Sequence, residues 1–233
     1  MAQASRHIYG EGNASWAWGD GPIVIFVHGW SGRAAQMAPL ARYVASLGFR
    51  SVALDVTGHG DSPGRRTRWE YFFRDIAALS ASLGEAVHAY VGHSAGGLTM
   101  MAARATKGIR ARRYVCISAP SFPFPPIEVI RKKLDPRPSV LEGYKRYIAA
   151  QFQATWPELE AGRCYAGATS DTLLFYDETD RFIDHREGDR IKALCPGAHL
   201  VKTQAYGHQA ILSAPELARD VGAFLKDEPP RFT

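Results

Sequence analysis

Cysteine is scarce in this sequence. Cys116, Cys164 and Cys195 are the only three in 233 residues. They are widely spaced and odd in number, which argues against a disulfide framework, and no pair has metal-ligand spacing. Long apolar runs are also missing. The longest near the start, PIVIFV, falls far short of the roughly 20 residues that a membrane-crossing helix needs. The opening MAQASRHIYGEGN has no apolar segment of the kind that marks a secretion signal. A reducing cytoplasm and no membrane partner are therefore the expectation. There is no internal repeat and no low-complexity tract.

A concentrated basic face is absent as well. The net charge is +5, yet Lys and Arg are spread along the chain and no basic–aromatic motif of a nucleic-acid reader is visible, so no nucleic-acid partner is expected. The remaining composition, 46% hydrophobic and 22% charged, is ordinary for a globular chain. A chain of this length can bury a core without disulfides or metal, and residues 1–233 are expected to form a single domain.

What the sequence does contain is alternation. IVIFV, RSVALDV, VHAYVG, RRYVCIS, TLLFY and HLVKTQ are short apolar or β-branched runs of strand length. Between and after them lie segments with helical spacing: AAQMAPLARYVASLG, residues 67–83, LTMMAARATKG, REGDRIKALC and a C-terminal helix in QAILSAPELARDVGAFLK, whose Pro215 is expected to open the main helix. Pro39 in the first of these is expected to mark a short first turn or a break. Strands joined by helices imply an α/β fold with a largely parallel sheet covered on both faces. Residues 121–167 interrupt the pattern. They carry no strand signal, open with the proline-rich SFPFPPIEVI and continue as two or three short helices, an insertion that reads as a small cap.

In such sheets, sites form beyond the carboxyl ends of the strands. Four elements with chemical capacity stand there. Gly92-His93-Ser94-Ala95-Gly96 is a G-x-S-x-G pattern between a strand and a helix, the context in which a serine hydroxyl is presented on a sharp turn. The amide of Ala95 points from the helix start toward a developing oxyanion, and the amide of Trp30, in His28-Gly29-Trp30 after IVIFV, is the candidate second donor. His208, just beyond HLVKTQ, is the candidate base that takes the serine proton. His88 and His199 stand at the opposite strand ends, while His28 and His59 belong to motifs that suggest loop-shaping. Asp177, Asp180 and Asp184 in TLLFYDETDRFID are candidates for the acid that orients the imidazole, and position alone slightly favours the first two.

Taken in order, HGW, DVTGHGDSPG, GHSAGG, ETDRFID and YGHQAIL resemble the α/β-hydrolase superfamily over residues 20–226. The order Ser, Asp, His is also that family's order. The resemblance implies a triad of Ser94, Asp180 and His208. The family's acid is the D of a D-x-x-V/I-P pattern, three residues before the apolar position, matched by Asp180-Arg181-Phe182-Ile183 except that Asp184 replaces proline, with Asp177 as runner-up. It implies Trp30 and Ala95 as backbone oxyanion donors, and no metal or organic cofactor. A serine at the elbow points to acyl transfer, with a carboxylic ester or thioester as leading substrate. A C–C hydrolase, a lactonase, a cofactor-free perhydrolase and a weakly catalytic hydrolase-fold binding protein are the alternatives. Trp30, His93, Phe122, Phe124, Tyr147 and Phe152 are the expected substrate-lining residues. The cluster Arg131, Lys132, Lys133, Arg137, Lys145 and Arg146 suggests an acidic substrate or an acidic carrier of the acyl chain.

Overall fold

Successive side chains of a strand point to opposite faces of its sheet. In the computed structural model, which describes residues 4–169 and 171–227, the buried strands obey that period. Ile23, Ile25 and Val27 of β3 (Ile23–Val27) join one apolar cluster, and Val24 and Phe26 join the other. The same division runs through β4 (Arg50–Leu54), β6 (Arg113–Ile117), β7 (Thr172–Asp177) and, from Ala89 on, β5 (Val87–His93), where a register shift against β3 sets Val87 apart. Both faces are therefore covered, which explains why these strands read as continuous apolar runs. Helices α1 (Ala34–Ser46) and α9 (Pro215–Leu225) cover one face. On the other lie α2 (Trp69–Leu83), α3 (Ala95–Thr106) and α7 (Arg186–Leu194).

The sheet has eight strands in the order β1-β2-β4-β3-β5-β6-β7-β8, closing with β8 (His199–Thr203). From β4 to β8 all pairings are parallel. The opening hairpin departs from the sequence expectation, in which the first strand is IVIFV. Two earlier strands, β1 (Ser5–Tyr9) and β2 (Asn13–Trp18), pair antiparallel with each other, and β2 pairs antiparallel with β4. β1 is an edge strand with four exposed residues and no apolar face, so it lacks the burial pattern that marks the others. A second departure concerns Pro39, which sits inside a continuous α1 instead of breaking it.

Between β6 and β7 the chain builds α4 (Pro125–Leu134), α5 (Pro138–Gln151), α6 (Trp156–Glu160) and a 3₁₀ turn at Arg163–Tyr165. Proline at the first helical position opens α4 and α5, where the missing N–H has no intrahelical partner to lose. Thr155 and Glu158 form a reciprocal capping box on α6. Ile127, Ile148, Phe152 and Leu159 anchor this segment to the core. Among the described residues no helix is long and apolar enough to cross a membrane. The three cysteines are free and buried.

Candidate active site

The turn between β5 and α3 sets the geometry. Ser94 has φ 52° and ψ −121°, a left-handed conformation that costs a non-glycine residue about 1–3 kcal/mol and persists only where its surroundings fix it. Those surroundings are tight. A Cβ on Gly96 would stand 2.4 Å from the Val27 carbonyl oxygen, and one on Gly92 would stand 2.6 Å from Gly97 Cα. Only glycine lets α3 begin directly against the ends of β3 and β5. The Ser94 N–H donates to the Ile117 carbonyl at 2.8 Å, which ties the turn to β6.

The His28-Gly29-Trp30 loop lies against this turn, since a Cβ on Gly29 would come within 3.0 Å of Ser94 Cβ. Two histidines hold it. The His28 ring, fully buried, meets the Gly29 carbonyl through Nδ1 at 2.7 Å and accepts from the Val56 N–H through Nε2. Burial pushes its pKa down to about 4, so the ring is neutral at pH 7 with its proton on Nδ1. His59 Nε2 accepts from the Ser31 N–H at 3.1 Å. The amides of Trp30 and Ala95 donate to no other group among the described residues. The Trp30 indole is 42% exposed and stacks on Phe72 at 5.7 Å, with Trp69 and Phe152 continuing the aromatic row.

At the far side, β7 and β8 end beside each other. His208 sits on the short helix α8 (Gly207–Ala210), and its Nδ1 lies 2.7 Å from Asp180 Oδ2. The Asp180 side chain is 1% exposed, and its other oxygen accepts from the amides of Phe182 and Ile183. Burial alone would raise the Asp180 pKa. The His208 hydrogen bond and the two amides outweigh it, so the net shift is downward. Among the described residues His208 makes no hydrogen bond to Ser94. Such contacts are often long in unliganded sites.

Asp177 is placed differently. Its Oδ1 accepts from the Thr179 amide, the Thr179 hydroxyl and the Gly207 amide. Its Oδ2 accepts from the Thr203 hydroxyl and the amides of Ala205 and Tyr206. Burial opposes ionisation, yet these hydrogen bonds hold the carboxyl far below the usual carboxylate range. Six donors leave no position for an imidazole. Asp184 is half in solvent and accepts from the Arg186 amide at the start of α7.

The residues expected to line a substrate pocket differ in exposure. Trp30 and Tyr147 are exposed, while Phe122 and Phe152 are buried in the packing of the cap on the core. Phe124 is half-buried against Phe122. His93 is buried, and its Nε2 lies 2.8 Å from the carbonyl oxygen of His208, so it faces a neighbouring loop and not open solvent. Phe182 is absent from the sequence expectation. It is 74% exposed with its ring 5.3 Å from that of His208. Its apolar side chain inside the acid motif was the signal available. Among the described residues no group of three His, Cys, Asp or Glu side chains could hold a metal ion.

The profile of the alpha/beta hydrolase family matches residues 24–223. The chain belongs to the α/β-hydrolase family. It is 32% identical over 139 residues to the non-heme chloroperoxidase of Streptomyces lividans, a match covering 57% of this chain and 48% of that protein. It is 35% identical over 88 residues to a bifunctional esterase/perhydrolase of Acinetobacter calcoaceticus, covering 34% and 30% of the two chains. These matches thus span about half of such relatives or less. Among solved structures, the bromoperoxidase of Bacillus anthracis superposes with a TM-score of 0.72 at 17% identity, over 96% of this chain and 100% of that one. At that identity the likeness establishes the fold alone.

Proposed function

We propose that this α/β-hydrolase cleaves a carboxylic ester or thioester through an acyl-enzyme on Ser94. His208 takes the Ser94 proton and later returns it to the leaving group. Asp180 fixes the imidazole tautomer with the proton on Nδ1, leaving Nε2 free to act as base. The amides of Trp30 and Ala95 hold the oxyanion, and water releases the acyl group. The observation that carries this reading is the 2.7 Å His208–Asp180 contact beside a serine held at positive φ. Both unengaged amides lie on loops that flank that serine. The substrate is a small acyl ester or thioester, with the exposed Trp30, next to Gly29, and the exposed Phe182, whose ring lies 5.3 Å from that of His208, as candidate apolar surfaces for it.

A serine-directed phosphonate should label the native chain at Ser94 and leave Ser94→Ala unlabelled. On a series of p-nitrophenyl esters, Ser94→Ala should lose activity by roughly 10⁴-fold or more. Near-normal turnover in purified Ser94→Ala would overturn the reading. A second reading rests on the relatives named as haloperoxidases and as an esterase/perhydrolase. In it, hydrogen peroxide replaces water as the acyl acceptor and the product is a peracid. Peracid formation from a short ester in added peroxide, absent in Ser94→Ala, separates the two.

A further inference from the structure

His208 stands on a helix of only four residues, Gly207–Ala210, and a segment that short has little stability of its own. If it is the general base, something must hold it to a fraction of an ångström. Asp180 fixes the rotation of the ring, and Asp177 holds the amides of Ala205, Tyr206 and Gly207 ahead of it. A third group reaches His208 itself. The His93 ring lies 4.7 Å from the His208 ring, and its Nε2 is 2.8 Å from the His208 main-chain oxygen.

Resting on the assignment of Ser94, His208 and Asp180, we infer that His93 is a positioning residue whose Nε2–H holds the main-chain carbonyl of His208 and so sets where the base stands relative to Ser94. A carbonyl can only accept, so the His93 proton sits on Nε2. Burial first, and the neighbouring His208 second, push the His93 pKa down to about 3, so the ring stays neutral and keeps one tautomer across the working pH range. The placement of His93 suits the task. Its backbone continues directly into Ser94, and its Nδ1 lies 3.1 Å from where a Cβ on Gly29 would be, against the His28-Gly29-Trp30 loop. One residue therefore continues into the Ser94 turn, lies against the His28-Gly29-Trp30 loop and holds the base loop. A substrate-lining role would instead need an exposed face, and His93 is 2% exposed.

The test is His93→Phe, which keeps a planar ring of similar shape and removes the donor. With p-nitrophenyl acetate, kcat should fall about 10- to 100-fold, because sub-ångström misplacement of a reacting group costs on that order. KM should stay within about 2-fold, since no substrate contact is removed. His93→Gln, whose amide nitrogen extends to a similar distance, should recover part of the loss. In the His208→Ala background His93→Phe should change the residual rate by less than about 2-fold, because residues acting as one unit are not additive. Should His93→Phe not fold, His93→Asn, with an amide too short to reach the carbonyl, takes its place with the same expectations. A rise in KM at constant kcat would return His93 to substrate binding. An undiminished kcat, or full additivity with His208→Ala, would overturn the inference. Substantial activity in His208→Ala alone would instead remove His208 as the base, a separate outcome.

Discussion

The ends of β7 and β8 and the cap between β6 and β7 belong to one family fold but are built on opposite principles. At the strand ends buried polar groups are engaged: Asp177 accepts six hydrogen bonds, Asp180 accepts three, and the His208 carbonyl is met by His93. On the outer cap the reverse holds. Arg131, Lys132, Lys133, Arg137 and Arg146 form no ion pair among the described residues, and Val129, Leu134 and Val140 are exposed beside them. A fixed polar scaffold suits groups that must meet a reacting atom in one geometry, whereas a loosely committed surface suits recognition. On this reading the strand ends carry the chemistry and the cap carries the selection.

The sharpest way to break that division is to change the strand-end carboxylates one at a time. Asp180→Asn should lower kcat by about 10⁴-fold, because the imidazole loses the partner that sets its tautomer, while the thermal midpoint stays near the native one. Asp177→Asn should do the opposite. Its amide would turn N–H groups toward donors that now have no acceptor, at a cost of about 3 kcal/mol in stability. The effect on kcat should be smaller than that of Asp180→Asn and follow the loosening of the His208 loop. Unfolding followed by circular dichroism, alongside ester turnover, checks both. The reverse ranking in folded proteins would make Asp177 the orienting acid.

The same carboxyl makes a pH prediction. The Asp177 pKa is lower folded than unfolded, so the unfolded chain binds more protons between the two values and stability rises with pH there. The contribution is complete above the unfolded value of about 3.9 and is lost as pH falls through the folded one. The stability gap between native chain and Asp177→Asn should therefore be full at pH 7 and shrink below about pH 4. Urea denaturation at pH 7, 5, 4 and 3 measures it, and a gap constant down to pH 3 would exclude the linkage.

How much of this could be read from the residues depended on burial and on distance along the chain. The parallel sheet was legible because β3 to β7 are buried on both faces, which leaves an apolar run in the sequence. β1 was not, because an exposed edge strand such as SRHIY can take almost any residue. The Ser94 turn was legible because its tight contacts demand glycine at Gly92 and Gly96, and that demand survives as a local motif. The neighbours of Asp177 and His93 were not legible. Apart from Thr179, two residues on, the partners of Asp177 lie 26 to 30 positions away and that of His93 lies 115 away, and nothing local marks a carboxylate that will collect amides from another strand end. His93 beside Ser94 reads as pocket lining until the carbonyl of His208 is seen to meet it.

The smallest expected effect tests the other side of the comparison. Residues 125–151 hold six cations, Arg131, Lys132, Lys133, Arg137, Lys145 and Arg146, against three carboxylates, Glu128, Asp135 and Glu142, a large part of the chain's net +5. Lys145 is engaged by Glu142 at 2.7 Å and lies over the Trp156 ring, so the field comes mainly from the others. The C-terminal end of α5 packs near the aromatic row that leads to Trp30, since Gln151 accepts from the Trp69 amide at 3.0 Å and Phe152 meets the Trp69 ring. A cationic cap over that row should concentrate anionic esters near the site without touching the acyl group. Reversing charge at Arg131, Lys132 and Lys133 should raise KM for a succinate monoester by up to about 10-fold at low ionic strength. For a neutral butyrate ester KM should not change. The difference should fade as salt shortens the Debye length from about 10 Å at 0.1 M toward about 3 Å at 1 M. Equal effects on the two esters would mean that the substitutions act through cap packing, and no effect on either would leave the cluster a solvated face with no part in selection.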